Sequence, residues 1–244
     1  MRLRLNFSLR KELVLPIHYN QILQGFIYRN LEPKLATKIH DYGHPLGKRR
    51  FKLFHYSQIL KRGRKAEDEI IFKNHISIVV GSPLSEFLES LATTLIKKSR
   101  VKMGDCYLFL ESIEVIPTPK FTRESLIRTL SPITVYSTLF KPDGRKKTYY
   151  YTPFEQEFSE LIHENLKKKY EVLKGRKPAR SRFTITPLRA SRKNLIITRF
   201  RGTLIKAWSG KYLISGTKSL LEIAYDCGLG AKNSQGFGMI IILH

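Results

Sequence analysis

Acidic residues are scarce in this chain. Twenty Asp and Glu face forty-four Lys and Arg among 244 residues, a formal net charge of +24. A fold carrying that surplus repels itself unless a polyanion is its usual partner, which puts nucleic acid first and an anionic membrane surface second. Long apolar runs are also missing. No stretch approaches a membrane span, and the start Met1-Arg2-Leu3-Arg4-Leu5 lacks the apolar core of a secretory leader. Membrane attachment therefore falls behind, and a cytoplasmic location is expected. Cysteine is nearly absent: Cys106 and Cys227 sit among apolar residues with no partner at metal-ligand spacing. Both read as small core residues in a reducing compartment. No carboxylate cluster of the kind a two-metal nuclease uses stands out, although distant acids are free to meet in space. Neither a metal nor a cofactor is expected.

What is present is enough apolar material, 42% of residues, to build a core. Residues 2–8 alternate basic and apolar, the period of a half-buried strand. After Pro16, Ile22, Leu23, Phe26, Ile27 and Leu31 form one helical stripe, with Tyr28 nearly opposite its centre beside Gln24. Pro33 opens a short helix that ends near His40. A basic, breaker-rich loop (41–50, with Lys48, Arg49 and Arg50) leads to strands at 52–59 and 70–80. A helix after Pro83 and a strand at 106–116 complete the half.

Pro117-Thr118-Pro119 marks a boundary near residue 118, giving expected domains of 1–118 and 119–244. The second half repeats the order: a strand-like 127–139, a hairpin around Pro142-Asp143-Gly144, a helix at 154–173, strands at 182–188 and 194–208, a helix at 217–227 and a last strand at 239–243. Two successive β-α-β-β-α-β units predict an α+β chain of two tandem ferredoxin-like (RRM-like) domains.

Four glycines crowd eleven positions in Gly228-Leu229-Gly230-Ala231-Lys232-Asn233-Ser234-Gln235-Gly236-Phe237-Gly238. Glycine is suited to positive φ and to close backbone approach. A turn between helix and strand and a phosphate cradle of bare amides with one lysine both fit. A dinucleotide fingerprint does not, because that motif follows a strand and opens a helix, the reverse of the order here.

Gly-apolar-Gly, five residues, Gly-apolar-Gly at the end of a basic double ferredoxin-like chain resembles the CRISPR-associated repeat-RNA endoribonucleases, the sixth Cas family of the RAMP superfamily. Gln24-Gly25-Phe26-Ile27-Tyr28, the segment 33–40 ending in His40, and Lys52-Leu53-Phe54-His55-Tyr56-Ser57 extend the likeness to the first half. The resemblance implies metal-independent cleavage of CRISPR repeat transcripts (pre-crRNA) into crRNA. The 2′-hydroxyl attacks the neighbouring phosphate and leaves 2′,3′-cyclic phosphate and 5′-hydroxyl ends. It also implies Tyr28, His40 and Lys52 as catalytic residues, with Lys48, Arg49 and Arg50 as rivals of Lys52 for the scissile phosphate.

Such a reaction needs a base, an acid and positive charge on the phosphorane, which these residue types supply. His44 and His55 lie outside the matched motif. Gly228, Gly230, Lys232, Asn233, Gly236 and Gly238 are the implied RNA-holding loop. Arg199 and Arg201, read as sharing a strand face with Ile197 and Thr203, join Arg189, Arg192 and Lys193 as phosphate-tracking candidates. Tyr149, Tyr150 and Tyr151 read either as base-stacking or as edge-strand packing residues. Repeat RNA is the expected partner, with an interference complex and a homodimer left open. A non-cleaving RNA-binding module of the same fold is the alternative function, and a basic ribosome- or DNA-associated protein the remote one.

Overall fold

A computed structural model describes residues 1–140, 142–188 and 191–243. The chain divides into two compact units: Met1–Thr118 together with Ser234–Gly236, and Pro119–Asn233 together with Phe237–His244.

In the first unit, β1 (Arg2–Leu9) buries Leu3, Leu5 and Phe7, the alternation its sequence announces. Helix α1 (Asn20–Arg29) buries Leu23, Phe26 and Ile27, and α2 (Pro33–Thr37) follows it. Strands β2 (His55–Tyr56) and β3 (His75–Gly81), helix α3 (Ser85–Lys98) and β4 (Cys106–Ile116) complete the unit. The sheet runs β2-β3-β1-β4, with the short strand Arg100–Met103 added beyond β4. That is the ferredoxin-like order, with antiparallel neighbours and β1 central. The apolar stripes of α1 and α3 share one core with this sheet.

The second unit repeats the plan with β5 (Glu124–Thr129), α4 (Gln156–Lys174), β6 (Phe183–Leu188), β7 (Lys211–Gly216), α5 (Lys218–Cys227) and β8 (Ile240–Leu243). Its sheet order is β6-β7-β5-β8, the same arrangement. The expected tandem ferredoxin-like fold is what the chain adopts.

Several expected strands are shorter or divided. The strand read at 52–59 is reduced to β2, because Leu53 takes φ +54 and breaks the extended run. The run 70–80 is split between Glu69–Phe72 and β3 by Asn74 at φ +66. The segment 127–139 divides into β5 and Tyr136–Phe140. The single strand read at 194–208 is a hairpin, Leu195–Phe200 against Thr203–Trp208. Arg201 and Gly202 form its turn with φ of +47 and +77, the pair of positive values that a tight two-residue connection requires. Among the described residues, no helix is long and apolar enough to cross a membrane.

Candidate active site and glycine loop

Local sequence explains how Tyr28, His40 and Lys52 meet. Glu32 caps α2 by accepting from the Lys34 and Leu35 amides at 3.1 and 2.8 Å, and Pro33 occupies the first turn, where no N–H is needed. Past α2 the chain widens into a π turn, Lys38–Tyr42, closed by the Gly43 amide on the Lys38 carbonyl at 2.9 Å. Single π turns are rare and often mark functional positions. This one buries Ile39 and leaves His40 outside.

Gly43, at φ +57, lets the chain reverse into the hairpin His44–Leu46/Arg49–Phe51. A methyl group there would lie 2.8 Å from the Phe51 carbonyl oxygen and 3.3 Å from Lys52 Cδ. Glycine thus permits the close return that brings Lys52 back over the π turn. Lys52 Nζ donates to the Ile39 carbonyl at 2.8 Å and to the carbonyl of His40 itself.

Tyr28, half-buried on the last turn of α1, meets the His40 ring edge-on at 5.2 Å between centroids. Phe54 supports it from another side at 5.4 Å. The His40 Nδ1 sits 2.7 Å from an Asp41 carboxylate oxygen, with both side chains about half exposed. With Nδ1 engaged, Nε2 is the nitrogen left for proton transfer to or from a ligand. Burial holds the Lys52 ammonium below its ordinary range; Asp41 pulls it back up, and Arg50 pushes it down. Arg50 donates to the Asp41 carbonyl at 2.9 Å, and Lys48 and Arg49 are exposed on the hairpin. The rival histidines are placed otherwise. His55 is fully buried in β2, where a methyl on Gly81 would lie 2.5 Å from its Nε2. His44 is half-buried, and that burial, with Lys38, lowers its pKa.

Two further residues of α1 have a role the sequence reading did not assign. Asn20 Nδ2 donates to the carbonyls of Gln235 and Gly236 at 3.0 and 3.3 Å, and Gln24 Nε2 to that of Ser234 at 2.6 Å. Asn20, Gln24 and Tyr28 recur at four-residue steps and so line one side of the helix. That polar stripe was the available signal. Gly236, at φ +85, explains itself here: a methyl would lie 2.6 Å from the Tyr56 ring.

Gly230 and Gly238 belong to the second unit and are also set by packing. A methyl on Gly230 would lie 2.5 Å from the Thr134 carbonyl oxygen, and one on Gly238 only 1.9 Å from that of Leu229. The amides of Leu229, Ala231 and Gly238 donate to the carbonyls of Gly238, Thr134 and Pro132 at 2.8–2.9 Å. Those three amides are therefore committed within the fold, which narrows the cradle of bare N–H groups expected from the sequence. Lys232, at φ +58, lays its ammonium 5.2 Å from the Tyr136 ring centre, and burial lowers its pKa. Asn233 Nδ2 donates to the Leu229 and Phe237 carbonyls, both at 3.0 Å.

Of the remaining candidates, Arg199 is exposed on its strand opposite Leu204, and Arg192 and Lys193 are exposed in a short 3-10 turn. Arg201 does not share a strand face with Arg199, since it occupies the hairpin turn, where strand parity ends. Arg189 lies outside the described residues. The three tyrosines are engaged locally: Tyr149 with Glu155 and edge-on with Tyr151, and Tyr150 with the Leu204 carbonyl at 2.9 Å. Among the described residues, no three His, Cys, Asp or Glu side chains gather in metal-ligating geometry.

Comparison with known proteins agrees with this architecture. Residues 14–114 match the family described as CRISPR-associated protein Cas6, N-terminal, and residues 116–242 match CRISPR associated protein Cas6, C-terminal. A CRISPR-associated endoribonuclease Cas6 of Methanocaldococcus jannaschii is 30% identical over 250 residues, covering 99% of this chain and 92% of that protein. The Pyrococcus furiosus protein of the same description is 32% identical over 234 residues, covering 92% of this chain and 82% of that one. A solved structure titled CRISPR associated protein Cas6 superposes with a TM-score of 0.82 at 26% identity, covering 100% of this chain and 99% of that one. Both halves of the sequence match and the relatives extend over nearly all of it, so the chain belongs to the Cas6 family of CRISPR-associated proteins.

Proposed function

We propose that this protein is an endoribonuclease that cuts CRISPR repeat transcripts without a metal ion. The convergence of Tyr28, His40 and Lys52 from three separate segments carries the reading. The 2′-hydroxyl upstream of the scissile bond loses its proton and attacks phosphorus. The bond to the 5′-oxygen breaks, and that oxygen takes up a proton as it leaves. The products are a 2′,3′-cyclic phosphate and a 5′-hydroxyl. The His40 Nε2 serves one proton transfer and the Tyr28 hydroxyl the other, each a contribution typically worth about 10²–10⁴ in rate. The Lys52 ammonium faces the charge that builds on the phosphorane. The glycine loop and the exposed Lys48, Arg49, Arg50 and Arg199 hold the RNA backbone, contacts that position rather than specify.

The test uses repeat RNA in excess chelator beside the same RNA with one 2′-deoxy at the cleavage position. Cutting of the first alone is expected. Binding of both with cutting of neither makes the protein a passive RNA-binding module. A requirement for Mg²⁺ overturns the acid–base mechanism.

A further inference from the structure

Helix α4 carries a lysine where its pattern calls for an apolar residue. Phe158, Ile162, Leu166 and Lys169 form its buried stripe, and Lys169 is only 3% exposed. A buried ammonium is costly unless every N–H finds an acceptor. Here each does: Nζ donates to the Gly228 carbonyl at 2.7 Å, to the Gly230 carbonyl at 3.2 Å and to Asn233 Oδ1 at 2.7 Å. Three acceptors match the three protons of an ammonium, and all three are neutral. Each belongs to the root of the glycine loop.

The geometry of those bonds constrains the loop further. In a trans peptide the carbonyl and the following N–H point in opposite directions. The Gly228 carbonyl bonds Lys169 while the Leu229 amide bonds Gly238, and the Gly230 carbonyl bonds Lys169 while the Ala231 amide bonds Thr134. Two peptide planes, Gly228–Leu229 and Gly230–Ala231, are thereby pinned on both edges, with one peptide between them. Asn233 is pinned as well, accepting from Lys169 and donating to the Leu229 and Phe237 carbonyls. Lys232, the lysine the loop presents, lies between these fixed points.

We infer that Lys169 is a positioning residue for RNA binding: from inside the fold its ammonium holds residues 228–233 in the shape that grips the RNA backbone. Lys169 itself touches no RNA. The inference rests on the glycine loop being the RNA-holding element. Burial lowers the pKa of this lysine to about 8, in keeping with an enclosed amine that has no carboxylate among its three partners.

The experiment measures equilibrium binding of repeat RNA and its single-turnover cleavage at saturating RNA, for the wild type, Lys169→Ala and Lys169→Gln. Leaving buried acceptors unpaired should weaken binding by Lys169→Ala roughly ten-fold or more. The rate at saturating RNA should stay within about two-fold, because Tyr28, His40 and Lys52 are untouched. Propylammonium added to Lys169→Ala should restore affinity, and tetramethylammonium, which has the charge but no N–H, should not. A protein that is merely destabilised loses active molecules, but those still folded bind as before and ignore the choice of amine. If Lys169→Ala fails to fold, Lys169→Gln, with two donors, should give an intermediate loss of affinity. Wild-type affinity in either folded variant, or equal rescue by both cations, overturns the inference. Wild-type protein that does not bind repeat RNA overturns the prior reading of the loop instead.

Discussion

The corner that joins Tyr28, His40 and Lys52 and the root of the glycine loop are built on opposite principles. In the corner, side chains lead: the His40 and Asp41 side chains are 52% and 55% exposed. Tyr28 rests against rings, and Lys52 reaches across backbone carbonyls. In the loop root, backbone leads: peptide planes are pinned from below by a lysine that is 3% exposed, with no room for a β-carbon at Gly230 or Gly238. On the proposed reading the difference is functional. Groups that move protons need an open approach to the substrate, whereas a backbone grip needs a shape fixed before the substrate arrives. Damage to the first should therefore appear in rate, and damage to the second in stability or affinity.

The sharpest break comes from His40→Ala. Cleavage at saturating RNA should fall about 10²–10⁴-fold. Thermal stability should scarcely change, since the side chain is exposed. A loss of stability or affinity comparable to the loss of rate would make His40 structural.

Gly238→Ala tests the loop in the opposite sense. Gly144 has nearly the same φ, +78 against +77, but open space around it. Alanine at Gly144 should cost about 1 kcal/mol, the strain of the conformation alone. At Gly238 the clash with Leu229 adds to that strain, and the measured loss in urea unfolding should exceed the Gly144 value by several-fold. Equal losses would mean that the loop relaxes freely.

A subtler difference lies in the pH dependence of stability, read as wild type against Lys169→Met. The Lys169 amine falls from an ordinary 10.5 to about 8 on folding. Between those values the unfolded chain binds a proton there that the folded chain does not, so raising the pH favours the fold. The stability of the wild type relative to the variant should be flat below about pH 8 and rise toward 10.5. A difference that declines over that window would contradict the burial of a charged amine.

The smallest effect belongs to Asp41→Asn. Half-exposed ion pairs are worth roughly 0.2–1 kcal/mol, so loss of the His40 partner should slow cleavage by no more than about five-fold. A loss as large as that of His40→Ala would give Asp41 a direct part in the chemistry.

The corner was largely legible in the sequence. Tyr28 stands off a clean apolar stripe, and His40 ends a helix with a Pro start, so local periodicity placed both in the fold, but only the resemblance singled them out as site residues. Lys52 owed even its place beside them to the resemblance, because its return depends on a π turn and on Gly43, neither of which has a periodic signature. The strand expected around it failed at Leu53, whose positive φ no propensity predicts. Lys169 was hidden for another reason. In Lys167-Lys168-Lys169 the charge reads as a solvated face, yet position 169 continues the stripe of Phe158, Ile162 and Leu166. Only the loop packed over it reveals why that stripe ends in a cation. The hairpin turn at Arg201 was missed because arginine at positive φ is uncommon.

Strand β5 lies between β7 and β8 in its sheet, and its partner Ile240 follows Thr129 only after α4, β6, β7, α5 and the whole glycine loop. The second unit is therefore sewn shut by its most distant stitch. Until β8 docks, the root of the loop has no fixed far end, and the Lys169 ammonium has water as its natural company. Pairings so remote in sequence are slow to form. The element proposed to grip RNA is thus expected to form late in folding, and a partly folded chain would carry the basic residues that attract RNA before it has the shape to hold it.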